Sequence, residues 1–595
     1  MAYKNFILVC GGTGCESSKA DEIYRELQSH AEAMGVKDEV QIVKTGCFGF
    51  CEKGPIVKVL PSESFYVEVK PEDAKEIIAE QIVKGREVKR LLYKDERQKD
   101  RVKVDEIGFY QKQFRIVLRN CGTINPENID EYIARDGYAA LEKVLSSMKP
   151  EDVINELKVS GLRGRGGAGF PTWRKWEFSR LPKADQKYVV CNADEGDPGA
   201  YMDRSTIEGD PHSVIEAMAI CGYTIGADKG YVYIRAEYPL AIDRLKIALQ
   251  QAREYGLLGK DILGTGFSFD IEIRLGAGAF VCGEETALLQ SIEGNRGMPI
   301  PRPPFPAVKG LWGKPTVINN VETWANIPVI LTKGGEWFSK IGTETSKGTK
   351  VFALTGKINN SGLVEVPMGT TLREIIYDIG GGIKGGKKFK GAQTGGPSGG
   401  IITAEYLDTP IDYESLTSLG SMMGSGGLIV MDEDDCVVDV SRFYMEFCVD
   451  ESCGKCSPCR IGTNQMHAIL VKITKGNGTM EDLDKLEKIG VAMRRAALCG
   501  LGQTAPNPTL STVKRFREEY LEHIRDHKCK AGVCKSLISF TIDKDKCIGC
   551  SLCARKCPVN CISGSKADKY TVDASKCIKC GECFKACKFN AVLKG

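Results

Sequence analysis

Gly161-Leu-Arg-Gly-Arg-Gly-Gly-Ala-Gly-Phe-Pro-Thr-Trp-Arg-Lys-Trp176 is the stretch on which the reading of this chain turns. Glycines at 161, 164, 166, 167 and 169 leave a run of backbone N–H groups uncovered by side chains. Such a run can fold into an anion nest suited to phosphate. Gly164 to Gly169 matches G-x-G-x-x-G, but that fingerprint needs a strand in front and a helix behind. Here Pro150-Glu-Asp-Val-Ile-Asn-Glu-Leu-Lys-Val-Ser160 precedes it, with a Pro-Glu-Asp start and apolar residues at 153, 154 and 157, which is a helix pattern. The simple dinucleotide reading fails and a phosphate-bearing ligand stays in view. The bland alternative is a structural glycine loop.

Working outward, Tyr188-Val-Val-Cys-Asn192-Ala-Asp194-Glu-Gly-Asp197 is a β-rich run ending in an acidic turn, suited to hydroxyls or a ring edge, or simply a surface turn. Gly276-Ala-Gly-Ala-Phe280-Val-Cys-Gly283-Glu284-Glu285 puts a second glycine turn at the head of an apolar helix. Arg302-Pro-Pro-Phe305-Pro is a stiff loop with one aromatic, and Val317-Ile-Asn319-Asn320-Val-Glu-Thr323 offers two amides.

In this order the five stretches resemble the flavin domain of the NADH-binding flavoprotein subunits of respiratory complex I, soluble NAD-linked hydrogenases and NAD-linked formate dehydrogenases. The resemblance implies FMN on Gly164, Arg165, Gly166, Lys175, Asn192, Asp194, Glu284, Asn319, Asn320 and Thr323, with Lys175 and the amides near the phosphate. It implies an NADH site over the flavin built from Phe170, Phe178, Asp197, Glu285 and Phe305. Trp173, Asp197 and Phe280 depart from the Gly, Glu and Tyr usual in the family.

A length of 595 residues corresponds to about four domains. The balance of 81 basic against 78 acidic residues, net +3, implies neither nucleic acid nor an anionic membrane as partner. No apolar run approaches the roughly 20 residues of a membrane helix, so a soluble cytoplasmic protein is expected. In a chain of this size the 25 cysteines read as metal ligands rather than disulfides.

Their clustering supports that reading. Cys10-x4-Cys15 after a short apolar strand, with Cys47-x3-Cys51 later, forms a plausible cage for one [2Fe–2S] cluster, zinc being the alternative. The spacing resembles thioredoxin-like ferredoxins. Cys453, Cys456 and Cys459 form a C-x2-C-x2-C run completed 40 residues on by Cys499, as in [4Fe–4S] ligation, with a disulfide or zinc as the alternative. Cys547-x2-Cys550-x2-Cys553-x3-Cys557 and Cys577-x2-Cys580-x2-Cys583-x3-Cys587 form a repeat with two-cluster ferredoxin spacing. There each fourth cysteine serves the other cluster: Cys547, Cys550, Cys553 and Cys587 hold one, and Cys577, Cys580, Cys583 and Cys557 the other. Cys121, Cys191, Cys221, Cys282, Cys436 and Cys561 fall outside any ligand spacing and read as buried small hydrophobes. His523, Cys529 and Cys534 supply three ligands suited to structural zinc, with Cys448 the candidate for the fourth; two inert thiols beside a helix end are the alternative.

The expected fold is multidomain α/β and α+β. It comprises a thioredoxin-like [2Fe–2S] domain (1–85), a charged solvated linker (86–112) and a Rossmann-like FMN/NADH domain (113–345). A ubiquitin-like β-grasp domain (346–430), a helical [4Fe–4S] domain with the zinc candidate (431–536) and a two-cluster ferredoxin domain (537–595) follow. The β-grasp segment carries no evident chemistry. With five histidines, none in the five stretches, acid–base catalysis has little support. The resemblance implies an NADH- and FMN-dependent electron-transfer subunit with one [2Fe–2S] and three [4Fe–4S] clusters. The added terminal domains resemble the flavin subunit of cytoplasmic multimeric [FeFe]-hydrogenases, including electron-bifurcating ones. Expected partners are a hydrogenase-type catalytic subunit, a small [2Fe–2S] subunit and ferredoxin. The alternatives are a stand-alone NADH:acceptor reductase, a formate dehydrogenase subunit and a non-catalytic electron-carrying scaffold.

Overall fold

Asn5–Cys10 (β1) buries its last four residues and ends on the first cysteine of the N-terminal set. In the computed structural model, which describes residues 3–94, 100–101, 103 and 106–595, β1 pairs in parallel with Val40–Thr45 (β2) and antiparallel with Val57–Leu60 (β3). Ser64–Tyr66 (β4) completes a sheet of order β2-β1-β3-β4. Two compact units divide the chain, Met1–Val430 and Met431–Gly595.

The charged segment 86–112 differs from the solvated linker expected. Its few apolar residues, Val88, Leu91, Leu92, Tyr93, Ile107 and Phe109, are buried in the core of the N-terminal module. Phe109 stacks on Phe50 with ring centroids 4.3 Å apart. These six side chains strap the segment to the module. Residues 95–99, 102, 104 and 105 of that stretch lie outside the described residues.

Four parallel strands carry the flavin domain: Tyr188–Ala193 (β5), Lys229–Arg235 (β6), Asp270–Gly276 (β7) and Thr316–Asn320 (β8), in the order β8-β5-β6-β7. The Val, Ile and Tyr runs of β5 and β6 suit strands covered on both faces, whereas β7, at the sheet edge, alternates apolar with charged residues. Pro150–Ser160 (α1) starts with proline at its first turn, has the Asp152 carboxylate accepting from Lys149 N–H, and stops at Gly161 with φ 67°. Thr172–Arg180 (α2) follows the glycine loop, and Val321–Lys333 (α3) begins directly at the end of β8. In open parallel sheets a ligand sits in the crevice at the carboxyl ends of the strands. Asn192 and Asn320 lie there, paired in register.

Thr349–Gly356 (β9), Gly362–Pro367 (β10), Phe389–Thr394 (β11), Ile401–Ile402 (β12) and Gly427–Asp432 (β13) form a five-stranded sheet of order β10-β9-β13-β11-β12. Its buried face shares one core with the N-terminal module.

The second unit gathers Val437–Glu451 (α4), Ser457–Thr474 (α5), Met480–Ala496 (α6), Asn507–Arg515 (α7) and Arg517–Arg525 (α8) around a separate core. It ends in two small antiparallel ribbons, Phe540–Ile542 with Val592–Lys594 and Ile562–Ser565 with Lys569–Val572. Among the described residues no helix is long and apolar enough to cross a membrane.

Candidate flavin and metal sites

The glycine loop lies against the amides at the end of β8. A Cβ added at Gly166 would stand 3.3 Å from Asn320 Cβ, and one at Gly167, whose φ is 119°, would stand 3.2 Å from Gly424 Cα. With no side chain of its own at either position, the loop presents bare backbone there, as a group that must approach N–H donors closely requires. Arg165 N–H donates to Thr323 Oγ1 at 2.8 Å, tying the loop to the first turn of α3. Asn320 caps that helix by accepting from Thr323 N–H and donates to the Asp203 carboxylate. With its amide oriented to satisfy both neighbours, Asn319 donates to Ile318 O and accepts from the Trp176 indole, each at 3.0 Å. Asn192 donates to Gly283 O at 2.9 Å and accepts from Asp194 N–H, joining the acidic turn to the second glycine turn. Lys175 donates to Ile318 O at 2.9 Å and lies 3.7 Å from Glu285, while desolvation lowers its pKa. Glu285 also meets Arg302 at 2.5 Å. Phe170, Phe178 and Phe305 are exposed, at 44%, 43% and 54%.

Two of the residues assigned to FMN from sequence also hold the fold around the crevice. The fully buried Arg165 side chain donates to the carbonyls of Thr349, Arg163 and Lys347, so only its backbone faces the crevice. Glu284 accepts from Thr286 N–H, Thr286 Oγ1 and Ala287 N–H, capping the helix Glu285–Ile292.

Other residues escaped the sequence reading. Glu195 accepts from the N–H groups of Asp203 and Arg204, and burial raises its pKa to about 6 against those bonds. Asp197, which the sequence did assign to the NADH site, accepts from Ser425 Oγ at 2.5 Å, and burial pushes it up to about 6. Tyr413 donates to Gly164 O at 2.7 Å. Ser425 and Tyr413 belong to the segment from which no chemistry was expected, and they close over the glycine loop. No short-range pattern marks them, because their positions follow from tertiary packing alone.

The four N-terminal thiols converge. Cys47 and Cys51 sulfurs are 3.9 Å apart, and a Cβ on Gly12 would stand 2.8 Å from Cys47 Cβ. The Cys15 thiol, with burial, holds Cys10 well above the ordinary thiol pKa; Cys10 and burial do the same to Cys47, as Cys47 and burial do to Cys51. Thiols crowded this way ionise together only around a cation, which is what an iron–sulfur cluster supplies. A cavity of about 340 Å³ beside Cys47 and Cys51 is walled by Tyr201 and Arg204 of the flavin domain. Thr13 N–H donates to Glu208 at 3.1 Å across the same seam.

In the second unit Cys459 is pushed up to about 11 by burial and by Cys456, Cys499 and Cys453. Those four therefore share one locus. Cys547, Cys550, Cys553 and Cys587 line one small cavity. Cys557, Cys577, Cys580 and Cys583 line another, so each triad shares its cavity with the fourth cysteine of the other half.

A tighter group stands apart. Cys436, His523, Cys529 and Cys534 are buried with their ligand atoms within 4.8 Å of one another. Cys436 Sγ lies 3.4 Å from His523 Nε2 and 3.7 Å from Cys534 Sγ, and Cys534 Sγ lies 3.4 Å from His523 Nε2. A tetrahedron with Zn–S bonds of about 2.3 Å has sulfur–sulfur edges of about 3.8 Å, so the donor set fits a single zinc ion. His523 Nδ1 contacts Glu519 O at 2.7 Å, which fixes the ring and leaves Nε2 to ligate. The fourth member is thus Cys436, read from sequence as a small hydrophobe, and not Cys448, which packs within α4.

Comparisons with known proteins agree with this geometry. The Nuo51 FMN-binding domain family matches residues 157–329, and the NADH-ubiquinone oxidoreductase-F iron-sulfur binding region matches 439–523. A 4Fe-4S dicluster domain matches 546–591, a thioredoxin-like [2Fe-2S] ferredoxin 2–81 and an SLBB domain 351–402. The NADP-reducing hydrogenase subunit HndC of Solidesulfovibrio fructosivorans is 63% identical over 456 residues, covering 77% of this chain and 93% of its own length. An NADH-quinone oxidoreductase subunit of Rhizobium meliloti (strain 1021) is 44% identical over 70% of this chain and 98% of its own. A crystal structure of NAD+-reducing [NiFe]-hydrogenase in the H2-reduced state superposes with TM-score 0.63 at 28% identity, covering 89% of this chain and 85% of that one. The chain belongs to the family of NADH-binding oxidoreductase subunits that carry FMN and iron–sulfur clusters.

Proposed function

We propose that this chain is the NAD(H)-linked electron-transfer subunit of a cytoplasmic multimeric hydrogenase, with the hydrogen-activating metal on a partner subunit. The observation that carries the reading is the crevice at the carboxyl ends of β5 and β8, where the backbone-lined loop at Gly166 faces Asn320 beside the Lys175–Glu285 pair. When bound there, FMN supplies the conversion between a two-electron hydride and single electrons, and each cluster moves one. The chain's own residues bind and orient. Loop N–H groups and Lys175 hold phosphate; Asn192 and Asp194 face the ring or ribityl hydroxyls; Phe170, Phe178 and Phe305 stack and exclude water over the nicotinamide. The hydrogenase context is supported by the 63% identity to HndC, named as a hydrogenase subunit, and by the likeness to the NAD+-reducing hydrogenase. None of the 25 cysteines is paired in a disulfide, which suits a reducing compartment.

A small [2Fe–2S] subunit and ferredoxin complete the proposed set of partners. Clusters in both units allow two electron exits, and we assign coupled delivery along both to the assembled complex rather than to the lone chain. The likeness to NADH-quinone oxidoreductase subunits favours the second reading, an NADH:acceptor reductase without hydrogenase. Native mass spectrometry of the complex with an NADH–dye assay separates the readings. Expected are one FMN per chain, dye reduction by NADH and a co-purifying hydrogenase subunit. A flavin-free preparation with full iron that leaves NADH unoxidised would overturn the proposal. The Cys436, His523, Cys529 and Cys534 group we assign to one structural zinc.

A further inference from the structure

We propose that Cys561 is a reserve ligand of the [4Fe–4S] site formed by Cys557, Cys577, Cys580 and Cys583, able to take the position of Cys557. This rests on the cluster assignment above. The two halves of the terminal module repeat each other, Cys557-Pro-Val-Asn-Cys561 in one and Cys587-Lys-Phe-Asn-Ala591 in the other. Their backbones agree at this turn: Cys561 N–H donates to Cys557 Sγ and Ala591 N–H to Cys587 Sγ, each at 3.3 Å. The side chain is what differs. Cys561 Sγ lies 3.4 Å from Cys557 Sγ, is 4% exposed, and lines the same cavity as Cys577, Cys580 and Cys583. Ala591 lines the matching cavity of the other half and offers no ligand atom. Since alanine fills that place in one half, packing does not call for sulfur in the other.

The exchange balances without any redox partner. The iron–sulfur bond to Cys557 breaks, one to Cys561 forms, the proton leaving Cys561 passes to Cys557, and no electron changes hands. A spare thiolate 3.4 Å from Cys557 would hold the cluster if displacement removed Cys557.

The test is iron and acid-labile sulfide content, with EPR of the reduced clusters, in anaerobically prepared full-length protein, FMN content serving as the folding standard. Cys587→Ala is expected to lose about one cluster's iron, four atoms. Cys557→Ala should keep the wild-type content with a changed EPR signal, and Cys557→Ala/Cys561→Ala should lose it. Equal losses in Cys557→Ala and Cys587→Ala overturn the proposal, as does iron that persists in the double variant. Should Cys557→Ala be insoluble, Cys587→Ala/Ala591→Cys decides: regained iron supports the proposal and its absence overturns it. A wild-type protein already short of iron would instead count against the cluster assignment.

Discussion

In the crevice above β5 and β8, the groups assigned to the flavin come from five stretches spread between Gly161 and Thr323, and many are backbone. In the terminal module the ligands sit two or three residues apart on short turns, and one crossing per half is the only long-range step. The Cys436 group lies between these extremes, with Cys529 and Cys534 close in sequence and Cys436 87 residues before His523. The difference separates what local spacing encodes from what only packing can deliver. It also separates two electrostatic problems. Clusters need sulfurs held far enough apart to enclose several irons, whereas the Cys436 group closes on a volume suited to one ion.

The largest expected effect tests that second contrast. Cys436→Ser should abolish the zinc, about one per chain, while Cys448→Ser keeps it and iron stays unchanged in both; structural zinc carries on the order of 10 kcal/mol of binding free energy, so the helical core should also melt earlier. Elemental analysis decides, and a wild-type preparation with full iron and no zinc would end the assignment.

The next concerns how the crevice is closed. Lys350 and Glu322, 0% and 1% exposed, pair between β9 and α3, and Lys350 also donates to Val351 O and Ser425 O. Removing one partner of such a pair leaves a buried charge and costs about 3–5 kcal/mol. Lys350→Met should therefore lower the denaturation midpoint of the first unit sharply, with Lys350→Met/Glu322→Leu recovering part of the loss. A single variant as stable as wild type would show that the segment carrying Ser425 and Tyr413 is not anchored through this pair.

Gly166→Leu comes third. Its side chain would enter the 3.3 Å gap to Asn320 Cβ, displacing any group bound along the loop. NADH–dye activity should fall about 100-fold, the order expected of a 1 Å misplacement, with flavin lost in proportion and iron retained. Undiminished flavin in a folded variant would move the site elsewhere.

These contrasts mark how much was legible beforehand. The cysteine sets were readable because cluster ligation imposes spacings of two to four residues that survive without knowledge of the fold. The flavin segments were readable as a set, but residue roles were less so. Arg165 and Glu284 are polar residues at the right place in sequence, yet the fold directs one guanidinium to three carbonyls and one carboxylate to a helix cap. Cys436 escaped because it stands at the head of α4 with no ligand near it in sequence. The strap at 86–112 escaped because its charge density hid six inward-facing apolar residues.

The smallest effect expected is on cofactor choice, and it turns on Asp197. Its carboxyl is raised to about 6 by burial, so it is neutral below that pH and charged above it. If Asp197 lies by the adenosine ribose, its charge opposes the 2′-phosphate of NADPH by about 1 kcal/mol in a water-like surrounding, roughly fivefold in kcat/KM. The preference for NADH should then grow as pH rises from 5.5 to 7.5. The phosphate itself titrates near 6 and adds a slope of its own. Asp197→Asn isolates the protein's share, because only that share disappears from the pH profile. The relative named as NADP-reducing makes the measurement decisive. Equal kcat/KM for the two cofactors at pH 7.5, or a profile unchanged in Asp197→Asn, would remove this carboxylate from the recognition of the ribose.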